Sequence, residues 1–250
     1  MERAGRATAL ILAALVVGAE ASDARRAVEA FVARLTQVTI SHLTVHQDIT
    51  VFHPDGRHPQ SSGEQRVYIK VPGRQRIEQV IDGRREVRLS VGDRTWIRGA
   101  DGQTAEAPAA EAARNRTPLF TPLRRSAEDL LAEWRSFGVR DDVSHTTRVR
   151  GRPVLVIGAG PGDRSSPAVW LDDQYGVVRV ISRERLAGGP ALVDLTLSEH
   201  RPLVGAFHFP HRQELFADGR LVLLIVVRSI AVDGALPDHL FDPAALRAGR

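Results

Sequence analysis

Residues 23–38 (DARRAVEAFVARLTQV) place Ala24, Ala27, Val28, Phe31, Val32, Leu35 and Val38 on one helical stripe. Arg25, Arg26, Glu29, Arg34 and Gln37 fall opposite, so the spacing predicts an amphipathic helix capped by Ser22 or Asp23. The period then changes to two. Strands are predicted over Val45–Val51, Arg66–Val71, Ile77–Ile81, Glu86–Val91 and Arg94–Arg98. Asp55-Gly56, Asp82-Gly83, Gly92-Asp93 and Asp101-Gly102 separate them, and such short connections fit an antiparallel meander, since parallel strands need long crossovers.

An alanine-rich run, Ala105 to Arg116, reads as a helical or mobile connection. Ser126 then caps a second helix, Ala127 to Phe137, with Leu130, Leu131, Trp134 and Phe137 on one face and Gly138 as its stop. Further strands are expected at Val143–Val149, Pro153–Ile157, Ala168–Leu171, Val177–Arg183, Ala191–Leu197, Phe207–Phe216 and Leu221–Val232. Leu221 to Val227 has no alternation, which predicts a strand buried on both faces. The chain closes on Leu236 to Pro243 and a loose arginine-bearing tail.

About eleven antiparallel strands cannot stay flat. The expected fold is therefore α+β: one antiparallel sheet that must curl strongly or close, with helices packed on its concave face. No linker or internal repeat interrupts residues 22–250, which read as a single domain.

Ahead of that domain, Arg3 and Arg6 precede an apolar run from Ala7 to Val17, and small residues follow around Ala19 and Ala21. This order predicts a signal peptide over residues 1–21, cleaved after Ala21; the apolar run is too short to span a bilayer. The mature protein is then expected to be soluble in the periplasm or secreted, with the periplasm preferred. The chain has no cysteine, which excludes thiolate catalysis, thiolate metal sites and a lipid anchor on an N-terminal cysteine. A formal net charge of +4 suits solubility, or contact with anionic lipid or acidic proteins, and gives no reason to expect nucleic acid. Arg74, Arg76, Arg84, Arg85, Arg88, Arg94 and Arg98, interleaved with acids, read as a solvated outer face.

Several stretches suggest chemistry and then fail its requirements. Val154 to Gly162 reads VLVIGAGPG, but Asp163 stands where a dinucleotide fingerprint needs its third glycine, and the next segment is a strand. The glycines instead make a mobile loop between antiparallel strands. His208 and His211 are three apart with Pro210 between them, and no third ligand follows at a telling spacing, so no metal site is assigned. With Phe207 and Phe209 inward, His208 is expected to face solvent. Asp172 and Asp173 fall in a turn, where an aspartate side chain bonds nearby amides. There is no G-x-S-x-G elbow and no H-E-x-x-H. A secreted hydrolase is the remaining alternative, and His208, Asp172 and Asp173 are the residues whose mutation would expose it; no turnover is expected.

The order of the pieces resembles the periplasmic lipoprotein-carrier family, the LolA/LolB-like proteins. The likeness rests on VYIKVPGRQR from Val67, GDRTW from Gly92, VWLDD from Val169 with GVVR from Gly176, VGAFHFP from Val204, and LFDP from Leu240. It covers most of residues 22–243. Of the two forms open to the sheet, the resemblance implies the half-open one: an unclosed, strongly curved sheet around a greasy cavity lidded by helices. It also implies the binding of lipoprotein acyl chains or lipid for delivery to the outer membrane, without a cofactor. Some members instead sense lipoproteins and act on a membrane protein, which leaves an inner- or outer-membrane partner as the alternative reading. A monomer is expected. Because exposed acyl chains cost about 0.8 kcal/mol per CH₂ in water, a carrier needs an apolar lining. The candidates are Val67, Ile69, Ile77, Val87, Leu89, Trp96, Leu130, Leu131 and Trp134, any one of which equally suits plain core packing.

Overall fold

A computed structural model describes residues 23–108, 125–186 and 189–249. The expected signal segment and residues 109–116 of the alanine-rich run lie outside them. Helix α1 spans Asp23–Leu35 and α2 spans Ala127–Ser136. Strands β1 (His42–Phe52), β2 (Pro59–Lys70), β3 (Arg74–Ile81), β4 (Arg84–Val91), β5 (Arg94–Arg98) and β6 (Thr104–Glu106) lie between the two helices in the chain. After α2 come β7 (Ser144–Val149), β8 (Arg152–Ile157), β9 (Ala168–Asp172), β10 (Gly176–Leu186), β11 (Gly189–Val204), β12 (Phe207–Ala217) and β13 (Arg220–Val232). A 3₁₀ turn (Asp238–Phe241) and a short helix α3 (Pro243–Arg247) end the chain.

All the strands form one sheet of 13, in the order β6-β5-β4-β3-β2-β1-β13-β12-β11-β10-β9-β8-β7. Every pairing is antiparallel. The chain starts at the centre and meanders to one edge, crosses by way of α2 to the other edge, and returns until β13 pairs with β1. Strands β6 and β7 have one neighbour each, so the sheet is open. The turn chemistry is local: Asp82-Gly83 and Asp218-Gly219 hold positive φ at both residues (49° and 75°, 48° and 78°), the geometry of a tight hairpin.

The sheet exceeds the expected eleven strands, most plainly at β6. Two of its three residues, Ala105 and Glu106, come from the run read as helical or mobile, and nothing in their periodicity marks a strand; pairing with β5 and the Arg94–Glu106 ion pair at 2.7 Å hold them. Strand β13 is also corrected. Leu221 to Val226 are half-buried and only Val227 is buried, so the unbroken apolar run does not mean two covered faces.

Helix α2 begins as the sequence implies: Ser126 Oγ accepts from the Asp129 amide at 3.0 Å and Asp129 Oδ2 accepts from the Ser126 amide at 3.2 Å, a capping box. Ala24, Val28, Phe31 and Leu35 of α1 and Leu130, Leu131 and Trp134 of α2 share one buried cluster with Leu43, Val45, Val67, Ile69, Val169 and Leu171. Arg25 of α1 pairs with Glu128 of α2. The opposite face carries two smaller clusters, one around Trp170 and Ile181, the other around Trp96 and Leu89. Phe241 and Leu246 cover the second of these, so the expected loose tail is packed down. Arg76, expected on a solvated face, is 3% exposed beneath that cover and donates to the Leu240 carbonyl at 3.1 Å.

Candidate functional site

Strand alternation assigns each side chain to a face, and the register carries the assignment across the sheet. Ile157, Val169, Val180, Leu195, Leu215, Leu223 and Val51 stand opposite one another in turn across seven adjacent strands, β8 to β13 and then β1. They form one unbroken apolar row on the helix-bearing side. At about 4.8 Å between strands the row is about 29 Å long. Ile157 and Val169 are buried in the helix-bearing cluster and Val180 packs against it. Leu195, Leu215, Leu223 and Val51 are half-buried and belong to none of the three clusters. The row thus runs from under the helices to a less covered apolar surface.

A polar line bounds that surface on the β1–β4 side. Gln47 donates to Gln65, Gln65 to Gln79 at 3.0 Å, and Gln79 to Glu86 at 3.2 Å, with Arg88 closing the line on Glu86 at 2.6 Å. Gln47 and Gln65 are buried, and their mutual bonds satisfy amides that would otherwise be costly inside. His211 lies near the middle of the sheet with its Nδ1 buried and unpartnered. Burial, then the Arg201 charge, push its pKa down, so the ring is neutral at physiological pH.

A groove of about 270 Å³ opens between α1 and strands β7 to β9, lined by Ala27, Ala30, Phe31, Leu155 and Leu171 with Arg34 and Asp173 at its polar rim. Phe31 packs directly onto Gly176: a Cβ there would meet the Phe31 ring at 2.6 Å, and its φ is +81°. The turn before Gly176 is held by Asp172, which accepts the amides of Gln174 and Tyr175, as its turn position implied.

Of the sequence-assigned lining, the structure brings together Val67, Ile69, Leu130, Leu131 and Trp134 as buried members of the helix-bearing cluster, with Ile77 packed against them. Val87, Leu89 and Trp96 are elsewhere, on the opposite face under Phe241 and Leu246. The register gives the reason. Ile77 faces Arg88, so the apolar neighbours Val87 and Leu89 must point the other way. His208 is likewise not simply solvent-facing: it is half-buried, edge-on to Tyr175 with ring centroids 5.4 Å apart. The row through Leu195, Leu215, Leu223 and Val51 was missed because it depends on cross-strand register, although each residue lies on a strand predicted from periodicity.

The architecture has close structural counterparts. A domain described as an outer-membrane lipoprotein-sorting protein from Vibrio parahaemolyticus superposes with a TM-score of 0.60 at 14% identity, covering 90% of this chain and all of that one. A DUF1329 family protein from Desulfovibrio piger gives 0.59 at 15%, again over 90% and 100%. A LolA-superfamily protein from Nitrosomonas europaea gives 0.56 at 14%, over 90% and 99%. The chain has the LolA-like fold. At these identities the likeness is one of fold. No family model and no curated protein matches the sequence. Among the described residues of this LolA-like chain, no helix is long and apolar enough to cross a membrane.

Proposed function

We propose that this protein is an exported LolA-like binding protein that holds an acyl chain, lipid or lipoprotein against the apolar inner face of its sheet and carries it toward the outer membrane. The observation that carries this reading is the seven-strand row from Ile157 to Val51. An acyl chain laid along it enters beneath α1 and α2 and extends over the half-buried leucines, in the manner of sites that bury most of a ligand in an apolar surface. Branched aliphatics dominate the row, and such side chains accept chains of different shape. The concave side of the sheet is the side that bears the helices in this reading. The lipoprotein-sorting description of one structural counterpart points the same way. Residues 1–21 act as a cleaved signal peptide, residues 22–250 work as one periplasmic domain and as a monomer, and the protein turns over no substrate.

The mature chain, purified from the periplasm without detergent, is expected to release lipid or acylated peptide on organic extraction, detected by mass spectrometry, and to take up a fluorescent fatty acid. A protein that yields no lipid and takes up no acyl probe would sink the reading. Retention of one membrane protein in place of lipid would favour the regulatory alternative.

A further inference from the structure

The face of the sheet turned away from the helices carries a cleft of about 440 Å³ between the β7–β8 turn, the β9–β10 turn and strand β11. Alternation places it there: Val154 joins the outer cluster with Trp170, while Leu155 and Leu171 pack toward the helices. One wall is rigid. Asp172 binds Arg152 through both oxygens, at 2.8 and 3.0 Å. The Arg152 guanidinium lies 4.6 Å from the centre of the Tyr175 ring, and His200 stacks parallel to that ring at 4.7 Å.

Two of the three arginines lining the cleft are already neutralised. Arg152 is bound to Asp172, and Arg179 donates Nε to Asp194 at 2.8 Å while its Nη2 pairs with the other oxygen. Arg150 has no partner among the described residues. It sits at φ +50° in a tight turn with Gly151, and its exposed side chain lines the cleft. Among the described residues that line the cleft, His200 has a buried side-chain nitrogen, Nε2, without a hydrogen-bond partner. Burial is the largest influence on that ring and pushes its pKa down to about 4, so His200 is a neutral hydrogen-bonding group and brings no second positive charge. Val149, Val154 and Val178 supply the apolar lining.

We propose that this outer cleft is a second, separate binding site for a small organic monoanion, a carboxylate carried on an apolar or aromatic body. Arg150 takes the carboxylate, His200 Nε2 makes the second polar contact, and the body rests on the three valines. A single free guanidinium matches a single negative charge. Asp172 is already offset by Arg152, but Glu199 also lines the cleft, so the second charge of a dianion such as a phosphate monoester meets repulsion that one arginine does not offset. The volume falls within the range of small-molecule sites, about 300–1,000 Å³. This site is independent of acyl binding on the inner face.

The test is titration of the mature chain with phenylacetate, followed by amide NMR. Saturable shifts at Gly151, Tyr175 and His200 are expected. Arg150→Gly removes the side chain while suiting the positive φ, and is expected to weaken phenylacetate about tenfold or more, leaving acyl-probe uptake unchanged. His200→Phe keeps a ring against Tyr175 and is expected to weaken binding by a smaller factor. 2-Phenylethanol, the neutral control, is expected to bind more weakly than phenylacetate. The proposal is overturned if phenylacetate gives no saturable shifts at millimolar concentration, if Arg150→Gly binds it as well as the parent, or if phenyl phosphate binds more tightly.

Discussion

Asp172 and Arg152 form a two-pronged pair, 2.8 Å to Nε and 3.0 Å to Nη2, with the carboxylate only 2% exposed. The same Asp172 Oδ1 accepts the amides of Gln174 and Tyr175, at 2.8 and 2.9 Å. One side chain therefore fixes the β9–β10 turn, which floors the groove beside α1, and one wall of the outer cleft. Burial alone would raise the Asp172 pKa, but Arg152 and the two amides outweigh it and hold the carboxyl below its usual range.

Asp172→Asn is expected to cost about 2 kcal/mol at neutral pH, at the modest end for a buried pair because Arg152 is about one-third exposed. The pH dependence has a definite sign. A lowered folded-state pKa gives stability that is present above the unfolded carboxyl value, about 3.9, and is lost as pH falls through the folded value. Urea unfolding is thus expected to show the gap between parent and variant closing below about pH 4. A gap of constant size from neutral to acid would refute the charge-based account.

Within VLVIGAGPG the glycines are not equivalent. Gly158 holds φ +107°, and a Cβ there would lie 2.4 Å from the Pro167 carbonyl oxygen and 2.8 Å from Val139. Gly160 has nothing within 4 Å and no positive φ. Gly158→Ala is expected to cost about 3 kcal/mol, and Gly160→Ala to stay within about 0.5 kcal/mol of the parent. Thermal unfolding of the two variants checks this. Equal effects would mean that the loop, and not the closeness of β8 to β9, explains the motif.

Much of this was legible because the forces are local. The α1 and α2 stripes, the Ser126 cap and the Asp-Gly hairpins each follow from a few neighbouring residues. Facing was harder. Val87 and Leu89 look like Val67 and Ile69 along the chain, and only the opposition of Ile77 to Arg88 puts them on different sides. The C-terminal cover was invisible for a similar reason: Phe241 and Leu246 gain their burial from strands about 150 residues earlier in the chain. The Arg152–Asp172 pair is also long-range, because an aspartate in a turn is explained locally before any partner is sought.

The tail therefore gives a test that separates packing from binding. Phe241 is 4% exposed against Trp96 and Leu89, on the face away from the helices. Phe241→Ala is expected to lose about 3 kcal/mol of stability, to shift tryptophan emission to the red, and to leave acyl-probe affinity unchanged under folding conditions. A parallel loss of acyl affinity would return Trp96 to the binding surface.

Leu223 gives the opposite case. It faces Leu215 on one side and Val51 on the other, at the seam of the first and last strands, and it is half-buried outside every cluster. Leu223→Ser removes part of a partly exposed side chain, so unfolding is expected to shift by only about 1 kcal/mol. On the proposed path of an acyl chain, however, it places a hydroxyl where methylenes must lie. Burying that hydroxyl without a partner costs about 1–3 kcal/mol, so fatty-acid affinity is expected to fall roughly tenfold. Leu223→Met, which keeps the volume and the apolar surface, is expected to bind as the parent does. If Leu223→Ser also binds as the parent does, the acyl chain does not follow the row.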